Sequence, residues 1–367
     1  MRLLITLGLL LTACSTSEPG LDTNLSGGGP TAPTSATASE TGVGDAGTST
    51  NSPTGSPTTG LFGSTTTDVS TGAPPTGDGP NLDLGIPDAG TGTGEGCTKI
   101  DFLFVVDNSN SMAAEQALLT AALPGFITAI QAALPDTSDY QIGVTKTDVF
   151  GFDNDPNPDP QNPCPYVLGG LLSHATPDGQ KTGTGPGCDF ASGKNFMTAG
   201  PTLAQEFSCA ASVGVKGNTG ETQAAALLAA VGPELAAPGA CNEAFLRPDA
   251  LLVVIMITDE DDDWSPPDAD KQQNATAWSS ALIAAKNNLP ENVAFVLISG
   301  GDPRWPDCKD ISPNDFTGAA ASPNLTALAT SIPSHSLGNV CQAGYEDTLA
   351  AAIATIATAC ESFMPPG

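Results

Sequence analysis

Two apolar runs constrain this chain more than anything else in it: Phe102-Leu-Phe-Val-Val-Asp-Asn-Ser-Asn-Ser-Met112 and Ala250-Leu-Leu-Val-Val-Ile-Met-Ile-Thr-Asp259. Neither has a polar residue on either face before its end, the pattern of inner strands in a parallel sheet covered by helices on both sides. Each run stops at an aspartate, Asp107 and Asp259. Ligands in such sheets bind beyond the carboxyl ends of the strands, where both acids fall. Asp107 is followed at alternate positions by Ser109 and Ser111. One carboxylate and two hydroxyls on a single turn are hard oxygen donors suited to Mg²⁺ or another hard divalent cation. The same residues also suit a turn that caps the following helix.

Further elements follow from periodicity. Ala113 to Leu134 carries a helical apolar stripe that Pro124-Gly125 is expected to kink or split. Tyr140 to Val149 alternates and reads as a more edge-like strand. A short strand is expected at Asn195 to Thr198, with helices at Leu203 to Ser212 and Glu221 to Val231. Ser279 to Lys286 belongs to another helix, Val293 to Ser299 is a third inner strand, and Thr348 to Ala359 is a closing helix. Strands alternating with helices predict an α/β fold, a doubly wound and mostly parallel central sheet flanked by helices.

Composition divides the chain. Residues 1–14 have one basic residue, Arg2, a short apolar run from Leu3 to Leu11, then Leu11-Thr-Ala-Cys14, which together describe an export signal. The ending resembles the lipobox of bacterial lipoproteins, whose cysteine is lipidated. Ser15 follows, not the Asp that favours inner-membrane retention in that family, so a cell-envelope protein anchored in the outer membrane is expected. An ordinary secretory signal is the alternative. Residues 15–96 are rich in Gly, Ser, Thr and Pro and contain no Lys or Arg. Too few large apolar residues occur there to offset chain entropy, so a disordered linker is expected. A flexible coil of about 80 residues spans roughly 50 Å on average.

Residues 97–361 suit one domain, with a disulfide-containing insertion at about 150–194. The net charge of -29, from 11 Lys+Arg against 40 Asp+Glu, argues against nucleic acid or anionic lipid as a partner. Membrane contact is expected through the lipid alone. Besides Cys14 there are eight cysteines: Cys97, Cys164, Cys188, Cys209, Cys241, Cys308, Cys341 and Cys360. An even number in an exported chain reads as disulfides, with connectivity open. Cys97 precedes the first strand and Cys360 ends the last helical stretch, so a bridge between them would close the base of the domain. With two histidines, His174 and His335, and no Cys-x-x-Cys, a zinc site is not expected.

The pattern over about Cys97 to Glu361 resembles a von Willebrand factor type A domain. Asp107-x-Ser109-x-Ser111, Gly217-Asn-Thr-Gly-Glu221 and Ile257-Thr-Asp-Glu260 carry the likeness. It implies a metal-ion-dependent adhesion site holding Mg²⁺, or Ca²⁺ or Mn²⁺, through Asp107, Ser109, Ser111, Thr219 and Asp259, with Thr222 as the alternative to Thr219. The sixth ligand would be a carboxylate of a protein partner. Glu260, Asp261, Asp262 and Asp263 either hold a second cation or form a solvated acidic turn closed by Trp264. The expected function is metal-dependent protein binding, with a structural envelope scaffold as the alternative. No Gly-x-Ser-x-Gly, His-Glu-x-x-His or phosphate loop occurs, so an enzyme is not expected.

Overall fold

Every residue of the two strands Leu251–Ile257 (β4) and Val293–Ser299 (β5) is buried in the computed structural model of the chain. Lys99–Val106 (β1) is buried except at its first residue. The described residues are 96–365 without 136, 148–162, 177–184, 218–220, 263–270, 302 and 309–317, and of 271–273 only the backbone. The chain divides into two units, Met1–Gly77 and Asp78–Gly367, and all described residues belong to the second. The export signal, Cys14 and the linker up to residue 95 lie outside them.

Six strands form one sheet in the order β3-β2-β1-β4-β5-β6, with Asp139–Lys146 as β2, Met197–Thr198 as β3 and Ser334–Asn339 as β6. All neighbours are parallel except β2 and the two-residue β3. The expected doubly wound fold is therefore the observed one. Strand pleating sends alternate residues into two cores. On one face Phe102, Phe104, Val253, Ile255 and Val296 meet the helices Ala113–Ala133 (α1), Leu203–Ala210 (α2) and Glu346–Ser362 (α7). On the other, Leu103, Val105, Val254, Met256 and Phe295 meet Gln223–Ala230 (α3), Lys271–Ala284 (α5) and Pro323–Thr330 (α6). A short helix, Pro233–Ala236 (α4), follows α3. Within the first core Phe104 packs edge-on against Phe207 at 4.7 Å.

Three local expectations are corrected. Pro124-Gly125 does not split α1, which is continuous through Pro124; both residues are on the exposed side, where the ring meets solvent and the sheet-facing stripe is undisturbed. The strand read as edge-like, β2, lies inside the sheet, because the short β3 pairs with its outer side. The elements α6 and β6 were not expected from the sequence at all.

Four disulfides close the domain. Cys97–Cys360 joins the chain two residues before β1 to the last turn of α7, at the place its sequence position predicts, and Cys97 N also donates to Cys360 O at 3.1 Å. Cys164–Cys241 and Cys188–Cys209 pin the insertion to the segment after α4 and to α2, and Cys308–Cys341 joins the segments after β5 and β6. Replacing Cys97 and Cys360 by serine should cost about 2–5 kcal/mol, read by denaturant unfolding; an unchanged midpoint would exclude a stabilising role.

At the amino end of the sheet Asp101 is fully buried and receives two 2.7 Å hydrogen bonds from Arg247, from its backbone N and its Nε. Burial nevertheless raises its pKa from 3.8 to about 6, against the opposing pull of Arg247. A carboxyl raised in the folded state contributes stability that is present below its unfolded pKa and lost as pH rises through its folded one. Wild-type stability relative to Asp101→Asn should therefore fall as pH rises through about 6. A difference that is flat between pH 4 and 8 would contradict this.

Candidate metal centre

The chain passes from β1 outward to β2 and β3, then returns to lay β4 on the other side of β1. The reversal opens a crevice at the carboxyl edge between β1 and β4, the place where open α/β sheets bind ligands. Asp107 and Asp259 are delivered to it. Asp107 N donates to Ile257 O at 3.0 Å and Thr258 N to Ile298 O at 3.1 Å, so the sheet ladder runs right up to both acids.

Both aspartates are fully buried, and Ser109 and Ser111 nearly so. Asp107 Oδ1 accepts from Ser109 N at 2.7 Å and Oδ2 from the Thr258 hydroxyl at 2.6 Å. Ser109 Oγ lies 3.2 Å from Ser111 Oγ and donates to Asp259 Oδ1 at 3.5 Å. Four of the five residues singled out in the sequence are thus brought together. The fifth, Thr219, lies outside the described residues. Its alternative, Thr222, turns its hydroxyl to Thr147 O at 2.5 Å.

The described residues on either side of 218–220 are moored. Gly217 N donates to Asn108 O at 2.8 Å, and Thr147 Oγ1 donates to the Glu221 carboxylate and lies 3.2 Å from Asn108 Oδ1. A Cβ on residue 217 would stand 2.6 Å from Asn108 Nδ2, so only glycine allows this approach. Gln116, in the first turn of α1, donates to Asp107 O and to Gly214 O, both at 2.9 Å. Beside the site a groove of about 410 Å³ is lined by Ala113, Gln116, Thr120 and Gly214, among others, with no charged side chain among the described residues.

The acid run after Asp259 has a different use from the two weighed for it. Asp261 accepts from Asn324 N at 3.1 Å and Leu325 N at 3.1 Å, at the start of α6. Asp262, buried and not solvated, accepts from Ala224 N at 2.8 Å at the start of α3. The two carboxylates diverge to separate helix N-termini, where exposed N–H groups favour negative charge. This accounts for both without a shared ion. Asp263 and Trp264 lie outside the described residues.

The electrostatics fit a cation. Burial first, and then the charge of Asp259, pushes Asp107 up to about 7, against the donors Thr258 and Ser109. Burial also raises Asp259, partly offset by Ser111, its own N–H and Ser109. Asp259 Oδ2 is buried with no hydrogen-bond partner among the described residues. An orphaned carboxylate oxygen beside a second acid and two hydroxyls is a donor set that a hard divalent ion would satisfy. Among the described residues no three His, Cys, Asp or Glu side chains form a metal-binding group, so such an ion would depend on the hydroxyls.

Thr258, Gln223, Asn108 and Thr147 were not singled out as functional in the sequence. Thr258 alone left a signal, a hydroxyl closing an otherwise apolar run just before Asp259.

No family profile and no curated protein matches the chain. Among solved structures it is similar to a von Willebrand factor type A protein from Catenulispora acidiphila, at 13% identity over 71% of this chain and 42% of that one, TM-score 0.35. It is also similar to proximal thread matrix protein 1 of the mussel byssus, at 13% identity over 73% and 49%, TM-score 0.37. A second structure of that protein, described with a zinc-occupied MIDAS motif, aligns at 14% identity over 72% and 46%, TM-score 0.35. The chain spans less than half the length of each. What the chain itself shows is a doubly wound, mostly parallel α/β sheet with the Asp-x-Ser-x-Ser turn at its switch point.

Asp259→Asn should raise stability in metal-free buffer by on the order of 1 kcal/mol, since a buried unpartnered charge is removed, and should abolish any rise in Tm on adding Mg²⁺. Thermal melts with and without the cation read both effects. A variant that still responds to Mg²⁺ like the wild type would exclude Asp259 as a ligand.

Proposed function

We propose that this type A-like domain is a divalent-metal-dependent protein-binding module, not an enzyme, that captures a carboxylate of its partner. The observation that carries the reading is the convergence of Asp107, Ser109, Ser111 and Asp259 at the switch point, with a buried carboxylate oxygen left unpartnered among the described residues. Those four residues, with Thr219, would hold Mg²⁺, Ca²⁺ or Mn²⁺. The ion would supply a Lewis-acidic position that an anionic group from outside can complete, and few charged ligands would leave it short of neutralisation. The uncharged groove alongside spares an acidic partner the repulsion that a chain of net charge -29 presents elsewhere.

In the same proposal the domain is exported, lipid-anchored through Cys14 in the outer membrane of a bacterial envelope, and held at a distance by residues 15–96. The sequence supports this part alone.

The test is a cross-linking pull-down from envelope extract with wild type and Asp107→Ala, each with Mg²⁺ and with excess EDTA. Capture should occur only for wild type with Mg²⁺, while Asp107→Ala keeps its circular dichroism spectrum. Capture that persists in EDTA or in the variant would replace this reading with that of a structural envelope scaffold.

A further inference from the structure

The hydroxyl of Thr258 is surrounded. It lies 3.0 Å from Gln223 Nε2 and 3.1 Å from Glu260 N, both donors, and 2.6 Å from Asp107 Oδ2 and 3.0 Å from Glu260 O, both acceptors. A hydroxyl has two lone pairs and one proton. Gln223 and Glu260 N occupy the lone pairs, so the proton is left for the acceptors, and the nearer is Asp107. Thr258 and Gln223 are both fully buried, and water cannot take over either role. Asp107 Oδ1 is held by Ser109 N at 2.7 Å. Each oxygen of this carboxylate is therefore fixed by one donor, and each keeps lone-pair capacity for something else.

We infer that Thr258 is a positioning residue for the cation site: with its proton aimed by Gln223, it sets the Asp107 carboxylate in the orientation the ion needs. The inference rests on the metal-binding reading and adds a component to it. Gln223 opens α3, immediately after the loop that carries Thr219. The Gln223–Thr258–Asp107 chain thus ties the start of α3 to the ends of β4 and β1, so Asp107 and Asp259 keep a common geometry. Groups that orient a metal ligand in this way are worth about 10–100-fold in affinity.

The test is Mg²⁺ titration calorimetry on the folded protein, with Tm measured in parallel without metal. Thr258→Val keeps the shape and removes the hydroxyl; it should weaken Mg²⁺ binding at least about tenfold. Thr258→Ser restores the hydroxyl and should bring the affinity back to near wild type. Gln223→Leu leaves the Thr258 proton unaimed and should give a smaller loss. A purely structural role would lower Tm in Thr258→Val without moving the Mg²⁺ affinity, and that result overturns the inference. If Thr258→Val does not fold, Gln223→Leu decides, and a wild-type affinity in it overturns the inference equally. Absence of Mg²⁺ binding by the wild type would instead remove the metal-binding reading itself, and this inference with it.

Discussion

Two carboxylates buried side by side at the ends of adjacent strands repel each other, and the carboxyl edge of the sheet is organised around that repulsion. Burial raises the proton affinity of both, and the like charge of Asp259 raises that of Asp107 further. A protein that needed only a helix cap here would have no reason to bury a second acid against the first. Donors from two segments offset part of the cost: Ser109 N with the serine hydroxyls that face Asp259, and the Thr258 hydroxyl. They leave one oxygen unanswered among the described residues. A divalent cation would complete the set.

The inner strands were legible because nothing competes with their message. A run such as Val293 to Ser299, apolar on both faces, has no stable place except between two layers of helices, and β5 has those limits. The edge strand β6, Ser-His-Ser-Leu-Gly-Asn, is polar and mostly half-buried, so hydrophobic pattern says nothing about it; it is a strand because β5 offers it a ladder. Pro124 misled for the complementary reason. A proline inside a helix removes one hydrogen bond and crowds the preceding turn, but on the solvent side of a helix already fixed by Leu119, Leu123, Phe126 and Ile130 the packing outweighs it.

The site divides along the same line. Asp107, Ser109, Ser111 and Asp259 could be read from the chain because chemistry and spacing lie within a few residues of a strand end. Asn108, Thr147 and Gln223 could not, since each acts through a partner 35 or more residues away in sequence, and Thr258 showed only as a hydroxyl at the end of an apolar run. For the run Glu260 to Asp263 the sequence left a second cation and a solvated turn both open. Adjacent acids look like a cation site on paper, yet the backbone turns Asp261 to α6 and Asp262 to α3.

The bridge between Cys97 and Cys360 has a mechanical consequence. If a partner is held at Asp107 as proposed, tension entering the domain from its amino-terminal side would run along β1 from one end to the other. That strand is flanked by β2 and β4 in parallel register, so the load shears both ladders at once and does not unzip them bond by bond. The knot at residue 97 fastens the last helix to the point where the pull arrives, so the outer layer cannot drift off while the strand is strained.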